Sequence, residues 1–428
     1  MSDRELDAAL IASTHDAARR LFARNTKQGY SPLLHRHYCY VAPSLGTYPY
    51  QWFWDTCLNV VILTRLGDYE LAKKNLRSLF EMQEEDGFVG HMIFWRRALP
   101  HHLEDVIQSR PSLRTIRPHM SALLQPCLAG YALLRLFEAC GDRVYLGEMY
   151  AKVRRYHECI AAHRDFDGDG LLSIVSPFES GMDWKPSYDA VLGHTPRITP
   201  RHLYASKLYW QVMGVDASNF LHSYDLRRIR RRHRFIVKDA GFNAIYAHDL
   251  QAMETLAGRV GDDADHFARR RRRVVESIAR LLFDPEARAF LDVQEPGSLR
   301  IPVLTPTIFF PLAVDDIPQE LADAVVRAHL ERSDGFEVPW PLPTVEKNDP
   351  AFFAGRTPFL WRGPTWSFVN WFLCKAFERR GFAAQAQKLR QSLWDLVRRS
   401  GFREYYDPMQ GTGLGAKNFT WAALVIDM

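Results

Sequence analysis

Three short segments set carboxylates among aromatic rings. Pro177–Asp189 reads PFESGMDWKPSYD, with Glu179 and Asp183 flanked by Phe178, Met182, Trp184 and Tyr188. A carboxyl group held against apolar surface is desolvated, keeps its proton to higher pH and can deliver it near neutrality. That is the property a general acid needs when a glycosidic bond is cleaved. A polar solvent loop is the plainer reading, and the flanking rings count against it. Arg403–Pro408 reads REYYDP, just after a helix expected to end near Ser400-Gly401. Glu404 there reads as an ionised base that activates water, or as a salt-bridge partner of Arg403. Tyr48–Asp55 reads YPYQWFWD. Asp55 can cap a helix beginning at Thr56, or accept hydrogen bonds from sugar hydroxyls while Trp52 and Trp54 stack on the ring. Two tryptophans beside the acid favour the sugar. Asp183 and Glu404 are far apart in the chain and meet only through tertiary structure; their separation decides between inversion and retention.

A fourth acidic segment leads elsewhere. Residues 165–170 read DFDGDG and match the opening of a calcium loop, with Asp165, Asp167, Asp169 and Gly170 at positions 1, 3, 5 and 6. Position 12 would be Ser176 rather than the bidentate Glu, so a helix-terminating turn is the preferred reading and no metal or other cofactor is expected.

The elements that must carry these segments are helical. Period-3.6 patterning covers about residues 3–25, 55–82, 119–140, 143–163, 200–226, 240–260, 263–283, 317–331, 364–380, 382–399 and 418–428. Gly-Asp pairs at 67–68, 141–142 and 261–262, with Gly381, mark hairpins in which one helix is capped by Gly and the next by Asp. Long segments rich in Trp, Pro and Gly lie between the hairpins, and long ordered loops in a helical protein usually carry function. The pattern predicts an all-α toroid, an inner ring inside an outer ring, as one domain over residues 1–428. Its loops form a cleft at one end.

Composition bounds the partners. Apolar residues make up 47% and charged residues 25%, in the globular range, while aromatics reach 13% with 11 Trp. Net charge is +5, with basic runs at Arg227–Arg234 and Arg269–Arg273. Both runs lie in helical surroundings without a nucleic-acid motif, so they read as solvated helix faces or contacts to an acidic partner. The N-terminus lacks the pattern of a secretory leader, and no stretch of 18 apolar residues occurs, which predicts a cytoplasmic protein with no membrane partner. The six cysteines stand singly and read as core thiols. A homo-oligomer is left open.

With those segments in view, the chain resembles glycoside hydrolase family 63 and, more distantly, the trehalases. The resemblance is carried by WFWD at Trp52–Asp55, Gln125-Pro126, ESGMD at Glu179–Asp183, FNAIYAHDL at Phe242–Leu250, WRGPTW at Trp361–Trp366, and EYYDP followed by GLGAKNFTW. These lie in one order across nearly the whole chain. The resemblance implies an (α/α)6 toroid and inverting hydrolysis of an α-glycoside, with Asp183 as acid and Glu404 as base. It implies that Tyr48, Trp52, Trp54, Asp55, Gln125, Trp361, Arg362 and Trp366 bind the sugar. Leu360 stands where that family often has Tyr. Without large extra domains, the chain is most similar to compact members that hydrolyse mannosylglycerate or glucosylglycerate. A glycerate carboxylate would need a cation, for which Arg197, Arg201 and Lys417 are at hand. The alternatives are an α-glucosidase on a neutral disaccharide and a non-catalytic sugar-binding toroid.

Overall fold

The computed structural model describes residues 8–96, 107–108, 119–195 and 205–428. Its longer helices are α1 Ala8–Asn25, α2 Phe53–Leu66, α3 Tyr69–Phe80, α4 Ala129–Cys140, α5 Arg143–Arg164, α6 Lys207–Leu221, α7 Ala240–Val260, α8 Ala264–Ser277, α9 Gln319–His329, α10 Ser367–Arg379 and α11 Ala383–Ser400. Two 3-10 segments, Pro306–Ala313 and Thr420–Asp427, take helical places. α2, α4, α7, Pro306–Ala313, α10 and Thr420–Asp427 pack each on the next, and the last closes on α2. Around this ring α3, α5, α8, α9 and α11 each pack on the inner segment that precedes them, and α1 packs on Thr420–Asp427. Six inner segments inside six outer helices make the (α/α)6 toroid.

Sequence decides which helix goes inside. Nearly every residue of α2 is buried, Thr and Asn included, as expected of a helix enclosed on all sides. α3 buries Ala72, Asn75, Leu76, Leu79 and Phe80 and turns Glu70, Lys73 and Arg77 outward. The hairpins close as expected at two places: Gly67 and Gly141 are left-handed, and Asp68 and Asp142 accept the backbone N–H of Leu71 and Tyr145. At the third, Asp263 rather than Asp262 caps α8. Asp262 instead accepts the Tyr150 hydroxyl at 2.6 Å.

Four expectations need correction. The helix foreseen over 119–140 begins only at Ala129; residues before it run extended, with Met120 bridged to Ile93 and the Leu123 carbonyl accepting the His91 N–H at 2.8 Å. Pro126 cannot donate within a helix there. Pro306–Ala313 falls outside the helices foreseen from sequence because Pro306 and Pro311 hide its helical character. The segment foreseen as a helix over 200–226 is α6 alone within the described residues, followed by a separate short helix, Leu226–Arg232. The loops also hold short sheets: β1 Thr26–Ser31 pairs with β2 Arg36–Val41, β3 Gln51–Trp52 with β4 Met92–Ile93, and β5 Arg403–Tyr406 with β6 Gly413–Lys417, all antiparallel.

The two basic runs lie on helix faces. Arg270 pairs with Glu158, and Arg271 with Glu254 and Asp316. The calcium-like loop has a cation of its own: the Lys238 ammonium lies 2.8 Å from Asp167, 2.5 Å from Asp169 and 3.4 Å from Glu295. All six cysteines are free thiols. Among the described residues no helix is long and apolar enough to cross a membrane.

Candidate active site

At the loop end of the toroid a cavity of about 640 Å³ is lined by Tyr48, Trp52, Trp54, Asp55, Gln125, Asp183, Trp361, Trp366 and Glu404. Residues expected at a sugar site are therefore brought together from segments scattered along the whole chain.

Asp183 is held by its flanks. On one side Glu179, fully buried, takes both guanidinium nitrogens of Arg164 at 2.5 and 2.7 Å and the N–H groups of Leu124 and Val175 at 2.9 and 2.7 Å. Those four bonds use up its acceptor capacity, so Glu179 anchors the loop and is not a proton carrier. On the other side Lys185 is buried between Asp239 at 2.6 Å and Asp292 at 2.7 Å. Between the anchors Gly181 is left-handed at φ 70°, and a Cβ there would lie 2.6 Å from the Trp54 ring, so only glycine lets the loop close over that indole. Burial pushes the Asp183 carboxyl up to about 7; its own backbone N–H opposes this, and the charges of Glu404 and Asp216 add to it.

Glu404 is placed by a β-bulge. β5 and β6 pair in register at Arg403–Lys417 and Tyr405–Leu414, and the irregularity between them turns the Glu404 side chain into the cavity. Tyr48 Oη donates to Oε1 at 2.6 Å and the Ala416 N–H donates to Oε2 at 2.6 Å. Arg403 points its guanidinium to the Gly415 carbonyl at 2.9 Å, so the salt bridge considered from sequence is replaced by these two donors. Gly415 is left-handed at φ 63°, and any Cβ would collide with the Glu404 carboxylate. Burial raises the Glu404 carboxyl above its usual range, and the Tyr48 hydroxyl, the Ala416 N–H and the Arg403 charge offset part of that rise.

The remaining wall is aromatic. Trp361 and Trp366 stack at 4.0 Å between ring centres, and Trp366 stacks on Tyr405 at 5.3 Å. Trp54 meets Trp421 edge-on at 4.7 Å, and Trp52 meets His91 at 5.3 Å. Asp55 lies in the first turn of α2 and is pushed up to about 8, chiefly by burial and, to a smaller extent, by Asp183 and Glu404, against its own backbone N–H and the polarity of the nearby Trp421 indole. Gln125 accepts the Trp54 N–H at 3.1 Å and so fixes the start of α2.

Two expected residues stand outside the wall. Arg362 is 2% exposed and forms a two-pronged ion pair with Asp189, 2.7 Å on one prong, which ties the WRGPTW loop to the loop of Asp183. Lys417 is exposed at the end of β6 and does not line the cavity. Arg197 and Arg201 lie outside the described residues. Conversely the cavity recruits His91, Gln108, Phe178, Trp184, Tyr209, Phe419 and Trp421. Phe178, Trp184, Phe419 and Trp421 sit inside the motifs above; His91, Gln108 and Tyr209 come from segments with no signal of their own. His91 is kept neutral by burial, which lowers it to about 3, and its Nδ1 lies 2.5 Å from the Ser121 hydroxyl.

A desolvated carboxyl and a doubly hydrogen-bonded carboxylate in one aromatic cavity can divide acid and base work. Residues 48–422 match the family described as the mannosylglycerate hydrolase MGH1-like glycoside hydrolase domain. The chain is 30% identical over 405 residues to the mannosylglycerate hydrolase of Thermus thermophilus, covering 90% of this chain and 95% of that one. It is 24% identical over 433 residues to the glucosylglycerate hydrolase of Mycolicibacterium hassiacum, covering 89% and 92%. A crystal structure of the family 63 mannosylglycerate hydrolase from Thermus thermophilus, in complex with Tris and D-glycerate, superposes with a TM-score of 0.83 at 29% identity, covering 96% and 98%.

Proposed function

The chain belongs to the mannosylglycerate hydrolase MGH1-like glycoside hydrolases, and from that premise we propose that it hydrolyses a small α-glycoside with inversion, mannosylglycerate or glucosylglycerate first. Asp183 gives its proton to the glycosidic oxygen as the bond to the anomeric carbon breaks. Glu404 takes a proton from a water that attacks that carbon from the opposite face, and the product is the β-anomer. Trp52, Trp54, Trp361 and Trp366 pack on the sugar, and Asp55 and Gln125 bond its hydroxyls. One observation carries the division of roles: Glu404 receives two donors that favour its charge, whereas burial holds the proton on Asp183 to about 7. The reading takes the whole chain as one catalytic domain at work in the cytoplasm, with no cofactor or nucleic acid and with homo-oligomers left open.

The aglycone is a separate question. No Lys or Arg lines the cavity among the described residues, which favours a second reading, an α-glucosidase acting on a neutral disaccharide. Purified protein supplied with mannosylglycerate, glucosylglycerate, the matching glycosylglycerols, trehalose, kojibiose and nigerose separates the two. A glycerate carboxylate that is recognised makes the glycerol glycoside worse by about 1.5–3 kcal/mol in kcat/KM. Equal rates on both, or faster cleavage of a disaccharide, establish the second reading. Proton NMR of the first-formed sugar tests the mechanism, and an α-anomer at early times removes Glu404 from the role of base.

A further inference from the structure

Gln108 joins the cavity wall from a segment without a motif, and its neighbours leave it little freedom. Its backbone carbonyl accepts the Ala122 N–H at 2.8 Å, and the carbonyl of Ile107 beside it accepts the Tyr224 hydroxyl. The side chain is gripped from behind, where Nε2 donates to Oδ2 of Asp216 at 3.1 Å. Asp216 is fully buried on α6, two turns beyond Tyr209, which lines the same cavity. That grip decides how the amide sits. A carboxylate only accepts, so the amide nitrogen faces Asp216 and the carbonyl Oε1 is what Gln108 has left to offer. Oδ1 of Asp216 has no partner among the described residues, so a proton taken up there still leaves Oδ2 an acceptor. Oε1 of Gln108 likewise makes no hydrogen bond among the described residues, in a side chain that lines the cavity.

Position gives this free acceptor its target. Ile107 packs with Phe178 and Leu360 on the cluster that holds Trp184 and Tyr209, and the last four of these line the cavity. Trp184 follows Asp183 in the chain, so Gln108 stands in the part of the wall that carries the acid. The acid protonates the glycosidic oxygen, and its side of the cavity therefore receives the leaving group. A neutral carbonyl set among rings recognises an O–H donor and gives nothing to a carboxylate.

We propose that Gln108 is a specificity-determining residue: its side-chain carbonyl, left free by the bond to Asp216, accepts a hydrogen bond from a free hydroxyl of the leaving group, in glycerate the hydroxyl on C3. The inference rests on the hydrolase reading above, with Asp183 as the general acid.

The test sets a glycerate glycoside against the D-lactate glycoside of the same sugar, which lacks the C3 hydroxyl and is otherwise identical. The parent enzyme should favour the glycerate glycoside by about 3–10-fold in kcat/KM, chiefly through KM, the worth of a neutral hydrogen bond. Gln108→Leu removes the acceptor at nearly the same size, and the preference should fall toward unity. A merely structural role would slow both substrates by the same factor and keep their ratio. Gln108→Asn, a milder change that withdraws the carbonyl by a methylene, should lower the ratio too and carries the test if the leucine variant does not fold. Equal rates of the parent on both glycosides, or an unchanged ratio in the folded variant, overturn the role of Gln108 and leave the hydrolase reading in place. Failure to cleave either glycoside, or full activity of Asp183→Ala, overturns that reading and with it this inference.

Discussion

Asp183 and Glu404 share one cavity and differ in who donates to them, which makes each testable by a one-atom change. Asp183→Asn and Glu404→Gln should each lower turnover by about 10²–10⁴-fold with unchanged circular dichroism. A loss of only a few-fold removes that residue from the mechanism. The pH profile is expected to follow the same logic: activity should rise as Glu404 loses its proton and fall as Asp183 loses its own, near 7. Tyr48→Phe deletes a donor to the charged form of Glu404, so the acidic limb should shift to higher pH. An unchanged acidic limb means that the bond does not tune the base. Both acids were legible in the sequence because each lies in a short motif crowded with rings. The Tyr48–Glu404 bond was not, since 356 residues separate its partners and no local pattern records such a meeting. Arg362 misled for a related reason: WRGPTW marks its place near the site, while its buried partner Asp189 is visible only in the fold.

Elements that hold Asp183 are fixed by ion pairs rather than by packing alone, and removing one partner of a buried pair costs more than the pair contributes. Glu179→Ala strands the Arg164 guanidinium and two backbone N–H groups. It should lose about 3–5 kcal/mol by urea denaturation and lose turnover as well, whereas Asp183→Ala should lose turnover without a loss of stability. Equal stability of the two variants would mean that the loop is held some other way. Helix positions were legible wherever a long apolar stripe ended in Gly-Asp, as at α2–α3 and α4–α5. They failed where Pro126, Pro306 and Pro311 interrupt or mimic a loop, because proline removes a donor without stating what the rest of the backbone does. The loop sheets escaped notice because several are only two residues per strand, too short for alternation to show.

Across the whole toroid the cavity is a burden on folding, because its carboxyl groups hold protons that an unfolded chain would release. Asp55 is pushed up to about 8, Asp183 to about 7 and Asp216 to about 7, while an unfolded Asp releases its proton near 3.9. Below the unfolded value both states carry the proton and these groups do not affect the balance. As pH rises the unfolded chain deprotonates first, so stability falls steadily until the folded carboxyl also titrates, and it is flat beyond that point. For Asp55 the window runs from about 4 to about 8. Asp55→Asn keeps the volume at the start of α2 and cannot ionise, so its stability relative to the parent should rise across that window. The gain should be near zero at its acid end and on the order of 1–5 kcal/mol at its alkaline end. Melting temperatures of the two proteins, measured in parallel from about pH 4 to 9, give the answer. A difference that stays constant across the series would mean that Asp55 is already ionised in the folded protein. A cavity stocked with buried, proton-bearing acids is therefore expected to make this toroid less stable in alkaline than in mildly acidic solution.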